Sequence, residues 1–324
     1  MSIDLTTIKA LDDLSPYLPK ELWDEVRDNI GVSEEEFNQR MKGIYRESDF
    51  LLAIHMMDVC KNITLIDESV SSVFGTYSCD AIIEMNNSSK FLLEIKHTDK
   101  DKYKISENNF NKRVEYAKTL ELKLYFAISI KGLWMVLSSD YLDKNDRKIT
   151  IDDYKYSELS SLFSVDHYII EDFEFISIYA NRKKNTIGIQ YPPYGFLVSE
   201  EIKHKGKRKY KIKRNNKDLF YITFVIEGIK DRASNEYHDE VKDGDFTIIT
   251  DKIEKGSQHM ISELELLLSP IKHMIHYDNI VFTPKTYLSE LSKLGKTSPF
   301  KVQLLRATMN QFGLKRIKMT TPQS

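Results

Sequence analysis

Cysteine is scarce in this chain: Cys60 and Cys79 are the only two in 324 residues, and no CxxC pair occurs. Neither a zinc site nor a disulfide framework is expected from that usage, and a reducing cytoplasm suits it best. Long apolar runs are missing as well. LYFAISI (124–130) is among the longest, far short of the ~20 residues that span a bilayer, so no membrane partner is expected. The opening MSIDLTTIKALDDLSPYL has no basic flank followed by an apolar stretch, so it does not read as a secretion signal. There is no P-loop, GxGxxG, GxSxG or HExxH, and the eight histidines show no metal-ligand spacing. The chemistries those motifs carry therefore have no support.

What is present is ordinary for a soluble globular protein: 41% hydrophobic and 30% charged residues, with a net charge of -2. That total hides an asymmetry. Residues 1–150 carry 20 Lys and Arg against 26 Asp and Glu, whereas residues 151–324 carry 27 against 23. The second half is thus better suited to an anionic partner.

Residues 1–33 read as a helical lead-in. Ser33 and Glu36 have the spacing of a capping box, and Phe37, Met41, Ile44, Leu51, Ile54 and Val59 recur near a period of 3.6. A long helix is expected over roughly 34–59. The residues ITLIDESVSSVFG (63–75) then read as extended or turn-rich. CDAIIEM (79–85) and KFLLEIK (90–96) read as strands, with turn chemistry in NNSS between them. A helix over 105–120, capped by Ser106, and two more strands, KLYFAISI (123–130) and LWMVLSS (133–139), complete the segment. DKNDRK (143–148) is the expected inter-region boundary. In the second half, EFISIYA and IGIQY read as strands and 208–226 as a hairpin about Asn215-Asn216. A helix is expected over 251–276, with a short strand IVF (280–282) and helices near 285–294 and 299–313 beyond it.

The hairpin over 79–96 brings reactive residue types together. Alternate strand residues share a face, so Glu94 and Lys96 point one way and Ile95 the other. A turn centred on residue 87 sets Asp80 opposite Glu94. Two carboxylates are hard oxygen ligands suited to Mg²⁺, which polarises a phosphate and acidifies a bound water. A lysine beside them stabilises the transition-state charge and helps position or deprotonate the water. An acid-x-Lys pair also arises on exposed strands as a weak ion pair. Here, however, it follows three apolar residues, where buried charge is costly without a partner or a role.

CDAII, eight residues, LLEIK, and then ENNFNKRVEYAKTLELKLYFAISIKGLWMVL resemble the core of the PD-(D/E)XK, or restriction-endonuclease-like, nucleases, which include archaeal junction resolvases. The likeness covers about residues 34–140. It implies an α/β fold with an αβββαβ core, a mixed central sheet flanked by helices. It also implies Asp80 and Glu94 as metal ligands, Lys96 as the catalytic lysine, and Mg²⁺ as cofactor with Mn²⁺ as a substitute. Cys79 stands where the motif has its variable proline.

The resemblance also calls for an acid on the first helix, with Glu47 the candidate and Asp49 and Asp58 the alternatives. His55, on a similar side of that helix, reads as a packed residue. On the second helix Asn111 is the candidate polar neighbour of the metal, and Lys112 and Arg113 are either phosphate contacts or surface charges. Lys207, Lys209, Lys211 and Lys213 would share one strand face and, with Arg214, track a phosphate backbone; lysines of that kind also protect sheet edges. Arg306, Lys315, Arg316 and Lys318 would add to that surface.

These readings imply a nuclease domain over 34–145 and an α+β domain over 150–324 for DNA binding or assembly. The expected activity is Mg²⁺-dependent cleavage of duplex or branched DNA, in a homodimer, within restriction, phage defence or mobile-element biology. The alternatives are a catalytically inactive nucleic-acid-binding protein of the same fold and an RNA-directed nuclease.

Overall fold

The computed structural model describes residues 5–14, 18–66, 78–187, 190–191, 194–215, 220–273 and 302–318. The chain divides into two compact units. One holds residues up to Leu51 and Val59–Leu159, the other Leu52–Asp58 and Ser160–Thr320.

The first unit opens with α1 (Leu5–Leu14), α2 (Lys20–Ile30) and α3 (Glu34–Met56), the last of which counts with the second unit from Leu52 on. The Glu36 amide donates to Ser33 Oγ at 3.1 Å, which caps α3 where the Ser33–Glu36 spacing predicts it. Ile8, Leu11, Val32, Phe37 and Met41 bury themselves together, and Trp23 meets Phe37 edge-on at 5.0 Å.

A five-stranded mixed sheet follows, in the order β1-β2-β3-β5-β6. Its strands are β1 (Cys60–Leu65), β2 (Ala81–Met85), β3 (Lys90–Thr98), β5 (Lys123–Ile130) and β6 (Leu133–Ser138). Only β3 and β5 run parallel, joined by the crossover helix α4 (Glu107–Thr119). As central strands covered on both faces, they read as nearly continuous apolar runs. Lys131 and Gly132 both take positive φ, the backbone a two-residue turn needs between β5 and β6.

The two sheet faces are covered differently. Leu92, Phe126, Met135 and Leu137 lie under α4, packed with Phe110 and Ala117. Phe110 and Phe126 stack at 5.8 Å. Each such apolar side chain contributes on the order of 1.5–3 kcal/mol on full burial. On the other face Trp134 meets Phe50 of α3 at 4.7 Å.

Residues 143–148 are not a boundary. They end α5 (Ser139–Lys144) and enter β7 (Lys148–Thr150), which pairs with β4 (Lys102–Lys104). Polar composition there reflects a surface turn inside the first unit, which continues to Leu159.

The second unit is α+β. Antiparallel strands run β10-β11-β9-β14-β13, with β12 also on β11: β9 (Phe173–Ala180), β10 (Gln190–Tyr191), β11 (Gly195–His204), β12 (Lys207–Lys213), β13 (Tyr237–Asp243) and β14 (Phe246–Ile253). A second sheet orders β15 (His259–Ser262), β8 (His167–Ile170) and β16 (Arg316–Ile317). Helices α6 (Phe220–Glu236), α7 (Glu263–His273) and α8 (Val302–Phe312) complete it.

Two expectations are overturned here. The hairpin predicted about Asn215-Asn216 does not form: β12 pairs backwards with β11 through Lys205-Gly206, and 220–236 is helix. The helix predicted over 251–276 begins only at Glu263. Residues 246–253 are a strand buried at alternate positions. Local apolar content is high in both segments, and sheet pairing decided the outcome. The strand and helix expected at 280–282 and 285–294 lie outside the described residues. The helix expected at 299–313 forms as α8.

No described helix is long and apolar enough to cross a membrane.

Candidate active site

Pairing in the β2–β3 hairpin runs Ala81 with Leu93, Ile82 with Leu92, Ile83 with Phe91 and Glu84 with Lys90. This register, continued by one residue, sets Asp80 opposite Glu94, as a turn centred on residue 87 requires. The Met85 amide donates to Ser89 O and the Ser88 amide to Met85 O, at 2.9 and 2.8 Å, closing the turn.

Asp80 lies just before β2 and accepts a 2.5 Å hydrogen bond from the Ile95 amide at Oδ2. Lys96 Nζ stands 3.7 Å from Asp80 Oδ2 and 2.5 Å from Glu94 Oε1. Glu94 is fully buried. An isolated ionised carboxylate in such a place costs several kcal/mol or more. A second cation shares the load: Arg113 Nε lies 2.6 Å from the same Glu94 Oε1.

Arg113 reaches Glu94 because α4 covers the Glu94 face. Phe110, Arg113 and Ala117 form the buried stripe of that helix. Asn111 is one residue off the stripe and exposed, so the helix presents Arg113 in place of the expected asparagine. Arg113 is buried against Glu94 rather than a surface charge. An arginine spaced i, i+3, i+7 with Phe110 and Ala117 is the signal that sequence reasoning left unused.

The electrostatics agree with this arrangement. Burial lowers the proton affinity of Lys96, yet Glu94 and Asp80 outweigh it and hold the ammonium above its usual range. Burial raises the Cys79 thiol, and Glu94 adds to the effect. Tyr103 is raised by burial within the field of the same four charges.

Asp80 and Glu94 supply hard oxygen donors. Both Glu94 oxygens are buried with no hydrogen-bond partner among the described residues, so the carboxylate keeps acceptor capacity for a cation. The pair therefore fits Mg²⁺ or Mn²⁺. Glu47 does not join them. No three His, Cys, Asp or Glu side chains among the described residues are grouped so as to hold a metal. Glu47 lies half-buried on α3, one turn before Phe50, whose ring packs on the sheet face opposite Glu94.

The basic strand is also rearranged. Lys213 pairs with Ser199, Lys211 with Glu201 and Tyr210 with Ile202, but a bulge skips Lys209 so that Arg208 pairs with Lys203 and Lys207 with His204. A one-residue slip reverses which face each side chain takes. Arg208, not Lys207, thus joins Lys211 and Lys213. Lys211 is paired with Glu201 at 3.1 Å, and Arg214 with Asn185 at 3.0 Å. Arg306 and Arg316 are both held in ion pairs: Arg306 binds the buried Glu263 through two 2.8 Å contacts, and Arg316 binds the buried Asp166 at 2.7 Å.

No curated protein matches the sequence. Among solved structures, the 1.6 Å structure of Archaeoglobus fulgidus Hjc, a Holliday junction resolvase from an archaeal hyperthermophile, is similar at 17% identity over 25% of this chain and 68% of that one, with a TM-score of 0.22. The family model for archaeal Holliday junction resolvase (hjc) matches residues 69–167. That span contains Asp80, Glu94, Lys96 and Arg113, and the family whose model it matches belongs to the restriction-endonuclease-like PD-(D/E)XK nuclease superfamily.

Proposed function

We propose that the first unit is a divalent-metal-dependent endonuclease that hydrolyses DNA phosphodiester bonds, with branched duplexes as its preferred substrate. The carrying observation is the convergence of Asp80, Glu94 and Lys96 within 3.7 Å at one end of a hairpin. Junction DNA is suggested by the matched family's description.

Asp80 and Glu94 would hold the ion, Mg²⁺ or Mn²⁺. When bound, it supplies Lewis acidity toward the phosphate and a more acidic water. The Ile95 amide fixes Asp80, so this ligand is set by backbone rather than by a free rotamer. Lys96 remains an ammonium between two carboxylates and stabilises the charge that develops on the phosphate oxygens. Water oxygen bonds to phosphorus as the bond to the leaving oxygen breaks, and a proton passes to the departing side. The second unit provides DNA contact or assembly through the Lys211–Lys213 face. A homodimer, which brings two such sites to two strands, and a setting in the cytoplasm in restriction, phage defence or mobile-element biology complete the proposal.

The test incubates the protein with a four-way junction, linear duplex, single strands and RNA, each with Mg²⁺, Mn²⁺ or chelator. Metal-dependent junction cleavage that disappears in Asp80→Ala and Lys96→Ala is the expected result. Binding without cutting overturns it in favour of a non-catalytic nucleic-acid-binding protein, and cleavage of RNA alone reassigns the substrate.

A further inference from the structure

Two cations approach the same oxygen of the buried Glu94 carboxylate. Lys96 Nζ and Arg113 Nε stand 2.5 and 2.6 Å from Oε1. These are ion-pair contacts, and neither Glu94 oxygen has a hydrogen-bond partner among the described residues. A buried carboxylate without such partners depends on its counter-charges for its orientation, and Arg113 approaches it from the α4 side.

The two cations differ in their surroundings. The Lys96 side chain keeps 27% exposure, while that of Arg113 keeps 8%. Arg113 is held by its own helix too, donating from a terminal nitrogen to Asn109 O at 3.3 Å. Guanidinium is also permanently charged and rigid, whereas an ammonium on a four-carbon stem is mobile. Of the two cations, the more exposed Lys96 has room to move, whereas Arg113 is held in place.

We infer that Arg113 is the positioning residue of this site: it holds the buried Glu94 carboxylate from the α4 side in the orientation in which it would bind the metal, and it supplies Glu94 with a fixed counter-charge. Neither the helix's surface nor substrate contact is involved in this role. The inference rests on the metal-dependent reading of Asp80 and Glu94.

The prediction is read in metal binding, not only in cleavage. Partners that orient a ligand cost 10–100-fold in metal affinity when removed. Mn²⁺ binding is measured by calorimetry on the full chain for wild type, Arg113→Gln, Arg113→Lys and Asp80→Asn, with thermal unfolding of each without metal. Arg113→Gln is expected to weaken Mn²⁺ binding at least about tenfold, and Arg113→Lys to recover part of it. A purely electrostatic neighbour gives the opposite sign, since removing a cation beside the ligands tightens binding. Unchanged or tighter binding in a folded Arg113→Gln or Arg113→Lys overturns the inference. Two variants guard against one that fails to fold. If wild type binds no Mn²⁺, or Asp80→Asn binds equally well, the metal-site reading itself fails, which is a distinct outcome.

Discussion

The Asp80 carboxylate accepts the Ile95 amide proton at 2.5 Å across a fifteen-residue separation. The bond ties the entry of β2 to the strand that carries Glu94 and Lys96. Asp80 thus has a structural duty in addition to its proposed ligand role, and the two can be separated.

Asp80→Asn keeps an acceptor for the Ile95 amide and removes the charge. It is expected to abolish metal-dependent cleavage with little loss of stability. Asp80→Ala leaves a buried donor unsatisfied, a penalty of about 1–3 kcal/mol. Chemical denaturation of the two variants should differ by an amount in that range. Equal stabilities would show that the Ile95 contact contributes nothing.

The Lys211–Lys213 face of β12 is expected to bind nucleic acid through phosphates. Neutralising either lysine should weaken binding uniformly across DNA sequences, and lower the slope of log affinity against log salt by about 1 each. Glu201→Gln, which releases Lys211 from its 3.1 Å partner, should strengthen binding. Filter-binding titrations at several salt concentrations read both effects. A salt slope indifferent to all three substitutions would remove this strand from the interface.

Glu236 closes the end of α6 onto the turn before β15. Its carboxylate accepts from Ser257 and the Glu254 amide and pairs with His259. The Ser257 hydrogen bond leads the causes that hold its pKa at about 2, below the usual carboxylate value. A depressed folded-state value stabilises the fold above the unfolded pKa, near 4.3, and the benefit is lost as pH falls toward 2. The second unit should therefore lose stability between about pH 4.5 and 2. The carboxylate lies at the surface, so solvent screening keeps the effect small. Denaturation midpoints across that range should be flatter in Glu236→Gln; an identical pH profile would contradict the assignment.

Glu263 is fully buried, and Arg306 is its counter-charge through two 2.8 Å contacts, with Tyr168 donating at 3.0 Å. Removing one partner of a buried pair typically costs 3–5 kcal/mol. Arg306 is a quarter exposed, so Arg306→Ala should fall at or below the lower figure, about 2–3 kcal/mol. Equilibrium unfolding provides the measurement. Loss of nucleic-acid binding without loss of stability would instead restore Arg306 to the phosphate surface.

Composition, alternation and turn chemistry were sufficient by themselves for the 79–96 hairpin. Apolar alternation about an NNSS turn leaves one register in which both faces are satisfied, and that register aligns Asp80 with Glu94. The same logic located α3, α4 and the β5–β6 hairpin, whose Lys-Gly turn needs two residues at positive φ. Lys205-Gly206 carries the equivalent signal, and it pairs β12 with β11 rather than with the segment that follows. Whether FYITFVI becomes strand or helix is not local information, because its apolar content suits either, and only the neighbouring sheet decides.

The spacing of Arg113 with Phe110 and Ala117 marks it as facing the core, but the carboxylate it meets was outside the reach of sequence. Only the strand beneath the helix places a carboxylate in its path. Glu47 shows the converse, since helical phase cannot say which sheet face a helix covers. Sequence determined which acids and which lysine would meet, because a hairpin is a short-range object with one satisfiable register. Tertiary structure decided which helix charge meets them, because that depends on how a crossover connection lays α4 across the sheet.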